Sequence, residues 1–373
     1  MINLNPSRTL AARPHASHFI ALKRYAFLSV LGLTAIAASS QASDITFTTV
    51  EVPGSGETIV TGVSGSSVIG TCDFGGFIYD GSTFKTFNNP AMSGMKPTGI
   101  SGGTIVGYYQ GVGTNGAVAL RSFIYDGSTF STLDVPGAIQ TVALGISGST
   151  VFGYYVDSPG VGHGFLYNGS TFTTLDFPGA TTTEILGISG GTVVGTHDST
   201  HPFTYNGSTF TALDFPDWSV LPEATITGIS GSTVVGYYQP GAAIEYFGFV
   251  YDGSAVTTLG FPGASLTYLK GVSGNTVFGT GISVEIVDDD YEGHGPGFVA
   301  QLEVPEPRIS LTTSNTAVIS WPYPSTGWNL QQNSDLTTTN WVTPSEAVAY
   351  NGTNDFINVG RPPGNLFFRL SHP

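Results

Sequence analysis

Phe165-Leu166-Tyr167-Asn168-Gly169-Ser170-Thr171-Phe172-Thr173-Thr174-Leu175-Asp176-Phe177-Pro178-Gly179 reads as a β-hairpin that stops at a proline. Aromatic and β-branched residues favour strands on both sides. The Asn-Gly between them is the strong short-hairpin signal, because a type I′ turn needs positive φ at both central residues. Pro178 has no N–H to donate, so pairing ends there.

Working outward, the same pattern recurs. Phe77-Ile78-Tyr79-Asp80-Gly81-Ser82 opens an equivalent hairpin, and the turn glycine returns at Gly127, Gly207 and Gly253. Upstream of each hairpin stands a Gly-[Ile/Val]-Ser-Gly element, at Gly62, Gly99, Gly145, Gly187, Gly228 and Gly271. Each runs into a β-rich segment such as Ser232-Thr233-Val234-Val235-Gly236-Tyr237-Tyr238. A unit of about 42 residues therefore holds four short strands, called here a (ending at Gly-Ile-Ser), b (Val-Val-Gly-Tyr-Tyr), c (Phe-Leu-Tyr) and d (Thr-Phe-Thr-Thr-Leu). Four strands per repeat of this length are the signature of a β-propeller blade.

The phase of the repeats points to a ring. Strands a, b and c occur six times, whereas d follows c only five times. The missing d stands at the start, Thr46-Phe47-Thr48-Thr49-Val50-Glu51-Val52-Pro53-Gly54, and the last unit ends on its c strand, Gly297-Phe298-Val299-Ala300. The expected fold is all-β: a six-bladed β-propeller over residues 43–303, closed by the N-terminal strand, which removes open sheet edges. A seventh irregular blade and an open solenoid are the competing architectures.

The unit also resembles a family of bacterial extracellular repeat proteins named for a His-Ala-Phe (HAF) triplet. The match is Gly-Ile, then Val-Gly-Tyr, then His-small-Phe-Leu-Tyr, a polar turn and Thr-x-Leu, over about residues 45–303. The triplet is His163-Gly164-Phe165 and, loosely, His201-Pro202-Phe203; elsewhere it becomes Gly75-Gly76-Phe77, Arg121-Ser122-Phe123, Phe247-Gly248-Phe249 and Pro296-Gly297-Phe298. Only the Phe is constant, so the His is no fixed ligand. The resemblance implies an extracellular repeat protein and brings no established activity.

The flanks set the compartment. Arg8, Arg13, Lys23 and Arg24 precede the apolar run Tyr25–Ala38, and a small-residue site follows at Ser40-Gln41-Ala42. This reads as a secretory signal peptide over 1–42, cleaved after Ala42; an uncleaved anchor is the alternative. The expected location is secreted or cell-surface, periplasmic or extracellular. After Val304-Pro305-Glu306-Pro307, a linker at 304–307, residues 308–373 carry three of the four Trp and alternating segments such as Ala317-Val318-Ile319-Ser320-Trp321. They read as a small β-sandwich and resemble the short Trp-containing terminal domain of many secreted bacterial proteins.

Composition excludes several functions. Charged residues are 10% of the chain, and acids outnumber bases 26 to 11. Without the first 42 residues, seven bases face those 26 acids. Phosphate binding needs clustered Lys and Arg, so no nucleic acid is expected as partner. No membrane span is expected after signal removal. Cys72 has no disulfide partner and reads as a small strand hydrophobe.

Chemistry is sparse. Gly99-Ile100-Ser101-Gly102-Gly103 and Gly187-Ile188-Ser189-Gly190-Gly191 match a nucleophile elbow in letters. An elbow is single and joins strand to helix, whereas this element recurs between strands. Its serines are expected to satisfy backbone groups in the a–b turn. His197 and His201 with Asp198 could ligate a metal but read better as a solvated loop. The acids Glu51, Asp134, Asp176 and Asp214 repeat at one position of d and are expected to solubilise the outer edge. Near strand a the charges are Lys96, Lys270, Glu184 and Glu223. The b–c loop of unit six, Asp288-Asp289-Asp290-Tyr291-Glu292-Gly293, has the alternation of the first half of a calcium loop. Asp288, Asp290 and Glu292 are thus the candidate metal ligands and calcium the one cofactor indicated; a solvated acidic loop is the alternative. No catalytic residue is assigned. The function expected is non-enzymatic, binding or surface-structural, toward a glycan or protein, by a monomer. The alternative is a secreted propeller hydrolase or lyase acting on polysaccharide.

Overall fold

The structure is a computed structural model. It describes residues 45–373 except 115, 214, 216–223, 241–244, 254, 288–289, 303–306, 313–315, 323–328, 352–353, 361–364 and 372–373. The expected signal peptide at 1–42, most of the expected linker at 304–307, Asp214, Glu223 and Asp288 therefore lie outside the described residues.

The described chain is all-β. Strand a is Thr58–Ser64, Ser93–Ser101, Gln140–Ser147, Thr183–Ser189, Thr225–Ser230 and Leu266–Ser273 in units one to six. Strand b is Ser67–Cys72, Thr104–Val112, Thr150–Val156, Thr192–His197, Thr233–Tyr238 and Thr276–Val287. Strand c is Gly75–Tyr79, Val118–Tyr125, Gly162–Tyr167, His201–Tyr205, Phe247–Tyr251 and Gly297–Gln301. Strand d is Phe84–Phe87, Phe130–Leu133, Phe172–Leu175, Phe210–Ala212 and Val256–Leu259 in the first five units. Each of those units is one antiparallel sheet in the order a-b-c-d. In the sixth, Phe47–Val50 pairs with strand c, Phe47 opposite Ala300 and Thr49 opposite Phe298, and so takes the place of d. Strand a of each unit touches strand a of the next, and strand a of unit one touches that of unit six. The sheets are propeller-like in their strand order and in this contact between inner strands.

One phenylalanine per unit anchors the core. Phe77, Phe123, Phe165, Phe203, Phe249 and Phe298 are all 0% exposed. Each lies opposite the mid-strand glycine of strand b, as Gly153 opposite Phe165 and Gly195 opposite Phe203. A Cβ on Gly195 would meet Glu184 O at 2.3 Å and Phe203 Cζ at 2.7 Å. The glycine is the space the ring occupies. Burying each ring stabilises the fold by about 2–3 kcal/mol. The apolar clusters span neighbouring sheets: Ile69 of unit one packs with Ile100, Ile105 and Phe123 of unit two. Val50 and Val52 pack with Val60, Phe77 and Phe278, so the N-terminal strand joins units one and six.

The turns explain most of the recurring letters. Val-Pro-Gly or Phe-Pro-Gly after strand d is a type II turn: Ala180 N–H donates to Phe177 O at 3.2 Å, and Gly179 has φ +83°. The threonine opening strand a then accepts the N–H of the residue before the proline, as Thr183 Oγ1 does from Phe177 at 3.0 Å. Thr58, Thr141 and Thr267 repeat this. The c–d connection differs from the expected two-residue type I′ turn. Tyr167 pairs with Phe172, leaving a four-residue loop in which only Gly169 has positive φ. Asn168 Oδ1 accepts from the N–H groups of Ser170 and Thr171. The Tyr167 hydroxyl donates to Gly169 O at 2.8 Å. The Asn or Asp thus caps the loop with its side chain, and a positive φ at that residue is unnecessary.

Beyond the linker, Arg308–Leu311, Thr316–Pro322, Asn354–Gly360 and Ala349–Tyr350 form one sheet, and Asn329–Asn333 with Phe367–Ser371 a second. Ile319, Trp321 and Ile357 of the first share a core with Leu330 of the second. Among the described residues no helix is long and apolar enough to cross a membrane.

Candidate functional site

The inner strand carries a β-bulge at the same place in every unit. The register shifts between Val60 and Gly62, Pro97 and Gly99, Ala143 and Gly145, Ile185 and Gly187, Ile226 and Gly228, and Leu269 and Gly271. A bulge leaves one residue unpaired and re-aims it. The extra residues, Thr61, Thr98, Leu144, Leu186, Thr227 and Lys270, line one cavity of about 230 Å³ together with the six Gly-[Ile/Val]-Ser elements. Lys270 is the one ionisable side chain among its described lining residues.

Three serines of that cavity are engaged. Ser64 Oγ accepts from Gly102 N–H at 3.2 Å, Ser189 from Gly231 at 2.8 Å, and Ser230 from Gly274 at 2.9 Å. Each glycine belongs to the a–b turn of the following unit. The expected turn-satisfying role holds, but across the boundary between units instead of within one. This arrangement explains why the element recurs between strands, where a nucleophile has no use for it.

Next along strand a, three residues before the same glycine, stand Lys96, Glu184 and Tyr268. Their strand-b partners are Tyr108, Thr196 and Thr280, and Tyr154 and Tyr237 stand at the same level opposite Val142 and Thr225. Tyrosines gather here. Tyr237, Tyr246 and Tyr268 touch one another with ring centroids 4.9–6.0 Å apart. Lys270 Nζ lies 5.3 Å from the Tyr268 centroid and 5.8 Å from that of Tyr237, within cation–π range. Enclosure by protein pushes the Lys270 pKa down, and the Lys96 charge adds to the shift. Burial pushes the Glu184 carboxyl up. Tyr154 is raised by its burial and then by Glu184 and Tyr108, while Gln140 Nε2 donates to its hydroxyl at 3.4 Å. This level offers aromatic faces, a cation and a half-buried carboxyl whose pKa is raised by burial.

The sequence singles out Lys96, Lys270 and Glu184 but not the tyrosines. Their signal is the Gly-Tyr-Tyr of strand b, which reads only as strand-forming until the bulge sets the level of each residue.

The outer edge corrects another expectation. Asp134 and Asp176 are not free solubilising charges. Arg121 Nε and Nη2 donate to Asp134 at 2.8 and 2.5 Å, and His163 Nδ1 meets Asp176 Oδ2 at 2.8 Å. Arg121 and His163 are the first residues of their triplets, so triplet and d-strand acid form one pair. Where the triplet opens with Phe247, the d-strand position is Gly260, and a Cβ there would meet the ring at 3.7 Å. His163 Nε2 also lies 3.4 Å from Asp157, and its ring stacks on Tyr155 at 4.9 Å.

His197 and His201 face each other across a hairpin, not in an open loop. Their rings stack at 5.0 Å, and His197 lies 3.9 Å from the Phe177 centroid. Asp198, at φ +48°, caps the neighbouring chain by accepting from Thr181 N–H at 2.8 Å. Stacked rings do not aim their nitrogens at a shared point. Cys72 ends strand b of unit one, half-buried, with its thiol pKa raised by that burial.

Of the candidate calcium ligands, Asp290 and Glu292 belong to a further strand, Asp290–His294, paired with the extended strand b of unit six. Asp290 stands opposite Val287 and Glu292 opposite Glu285, so the backbone is a hairpin ladder where an open turning loop was expected. Asp288 lies outside the described residues.

No protein-family model matches the chain, and no curated protein matches it. Similar solved structures exist at low identity. Aleuria aurantia lectin, described as a fungal six-bladed β-propeller that recognises fucose, is 15% identical over 54% of this chain and 77% of its own, with a TM-score of 0.36. A mutant of AofleA from Arthrobotrys oligospora is 12% identical over 68% of this chain and 89% of its own, with a TM-score of 0.37. A puromycin hydrolase is 13% identical over 74% of this chain and 50% of its own, also with a TM-score of 0.37.

Proposed function

We propose that the chain is a secreted, non-enzymatic binding protein. In this reading residues 1–42 are a cleaved signal peptide, 43–303 a closed six-bladed propeller, and 308–373 a small sandwich behind a short linker. Pairing of Phe47–Val50 with strand c of unit six supports the ring, as does contact between the first and last inner strands. The shared core of the two C-terminal sheets supports the sandwich.

The observation that carries the function is the tyrosine cluster around Lys270, the lysine that lines the cavity. Tyrosine faces pack against the C–H faces of sugars while hydroxyls and a cation supply polar contacts. A glycan is the partner this chemistry suits. Ser64, Ser189 and Ser230 of the cavity are already committed to holding neighbouring units together. The hydrolase or lyase reading has one observation in its favour: Glu184, half-buried with a raised pKa, has the property of a general acid. One experiment separates the readings. The mature protein is incubated with soluble polysaccharides, and both retention on the polymer and new reducing or unsaturated ends are measured. Retention without new ends is expected. New ends that vanish in Glu184→Gln would overturn the binding reading.

A further inference from the structure

Of the seven bases in residues 43–373, Arg121 is paired with Asp134, and Arg369 bonds Gln331 and stacks on Trp341. Lys96 and Lys270 are used differently. Strand a of unit one touches both the strand that carries Lys96 and the strand that carries Lys270. The two lysines therefore flank unit one, and Lys270 lines the cavity. Strand a of unit one offers them no acid: at this level it has Ile59, Val60 and Thr61. No acid bonds either lysine among the described residues. Placing two of seven bases in mutual repulsion, in a chain with 26 acids, is unfavourable unless an anion sits between them.

Thr61 lines the cavity between the lysine-bearing strands. Around Lys270 stands the aromatic surface of Tyr237, Tyr246 and Tyr268.

We infer that this end of the cavity binds a carboxylated sugar, a single hexuronate unit, with its carboxylate between Lys96 and Lys270 and its ring against Tyr268 and Tyr237. The inference rests on the glycan-binding reading and narrows its ligand. The acidic surface of the rest of the molecule selects against a long polyanion, whose further charges would meet like charge within a Debye length of about 8 Å. The ligand class is therefore an isolated uronate on an otherwise neutral glycan.

The test is titration of the mature protein with methyl glucuronide, methyl glucoside, polygalacturonate and inorganic phosphate, followed by NMR. The glucuronide is expected to bind at least tenfold more tightly than the glucoside. That preference should disappear in Lys270→Met and shrink in Lys96→Met, both with unchanged melting temperature, while Tyr268→Ala should weaken both sugars. A preference that survives Lys270→Met, or equal binding of the two glycosides, overturns the uronate assignment. It leaves glycan binding intact if Tyr268→Ala still abolishes it. Phosphate competing as well as the glucuronide would make the site a general anion site, and tighter binding of polygalacturonate per unit would refute the isolated-charge argument. Absence of binding to any sugar would remove both this inference and the reading it rests on.

Discussion

Replacing Phe47 by alanine should cost the fold as much as replacing Phe172, although Phe47 stands outside the repeats in sequence. Both open a d strand, and both are half-buried. Phe172 packs on Phe165 at 5.6 Å and Tyr167 at 4.5 Å, and Phe47 on Phe298 at 5.2 Å and Phe261 at 5.5 Å. Half of a phenylalanine's area, about 100 Å² at ~25 cal/mol/Å², is worth about 2.5 kcal/mol. The ring–ring attraction that disappears with the side chain adds roughly 0.5 kcal/mol, so each variant should be destabilised by about 3 kcal/mol. Guanidinium unfolding of the mature protein measures this through the shift in midpoint at constant slope. The matched loss is the decisive point. A Phe47→Ala variant that unfolds with the parent, beside a Phe172→Ala variant destabilised by about 3 kcal/mol, would show that the N-terminal strand is no blade component.

Three further outcomes follow from the outer edge and the acidic hairpin. A double-mutant cycle on Arg121→Ala and Asp134→Ala should return a coupling of about 1 kcal/mol, since the pair is forked and only about one-fifth exposed; a coupling near zero would make it an ordinary surface pair. Burial of the His163 ring opposes its charge, but the hydrogen bonds and charges of Asp176 and Asp157 overcome this and raise its pKa above 6.5. The charged form's contribution is therefore full below about pH 6.5 and fades as pH rises through the folded value, so the melting-temperature gap between parent and His163→Asn should be larger at pH 5.5 than at pH 8.5, and a gap that grows with pH would contradict the pairing. The sequence reading of Asp288, Asp290 and Glu292 as calcium ligands predicts a melting temperature raised by a few degrees at millimolar calcium and not in an Asp290→Asn/Glu292→Gln variant; no rise in the parent would dismiss it.

The repeated units are legible because glycine and proline punctuate them, and because each short strand keeps its aromatic and β-branched residues. The stray N-terminal strand can be matched to its partner by counting alone, since Thr46–Val52 copies the d pattern that unit six lacks. The turn at Asn168-Gly169 departs from its expected type for a physical reason. Asn-Gly suits a type I′ turn, but the following Ser and Thr offer their N–H groups to the Asn168 side chain, and the longer capped loop results. The partnership of Asp176 with His163 is hidden because the two are thirteen residues apart, and only the c–d register brings them together. The proposed binding surface is hidden further still. Tyr268, Lys270 and Tyr237 become neighbours only after a bulge re-aims Lys270 and a second unit supplies Tyr237.

Glycan binding without cleavage is tested most directly on one gel: the mature protein run under native conditions through a matrix cast with a glucuronate-substituted neutral polysaccharide, and the polymer then stained. A binding protein of this design gives a retarded band over intact polymer, with the retardation lost in Tyr268→Ala. A cleared track behind an unretarded band would contradict that and make the protein an enzyme.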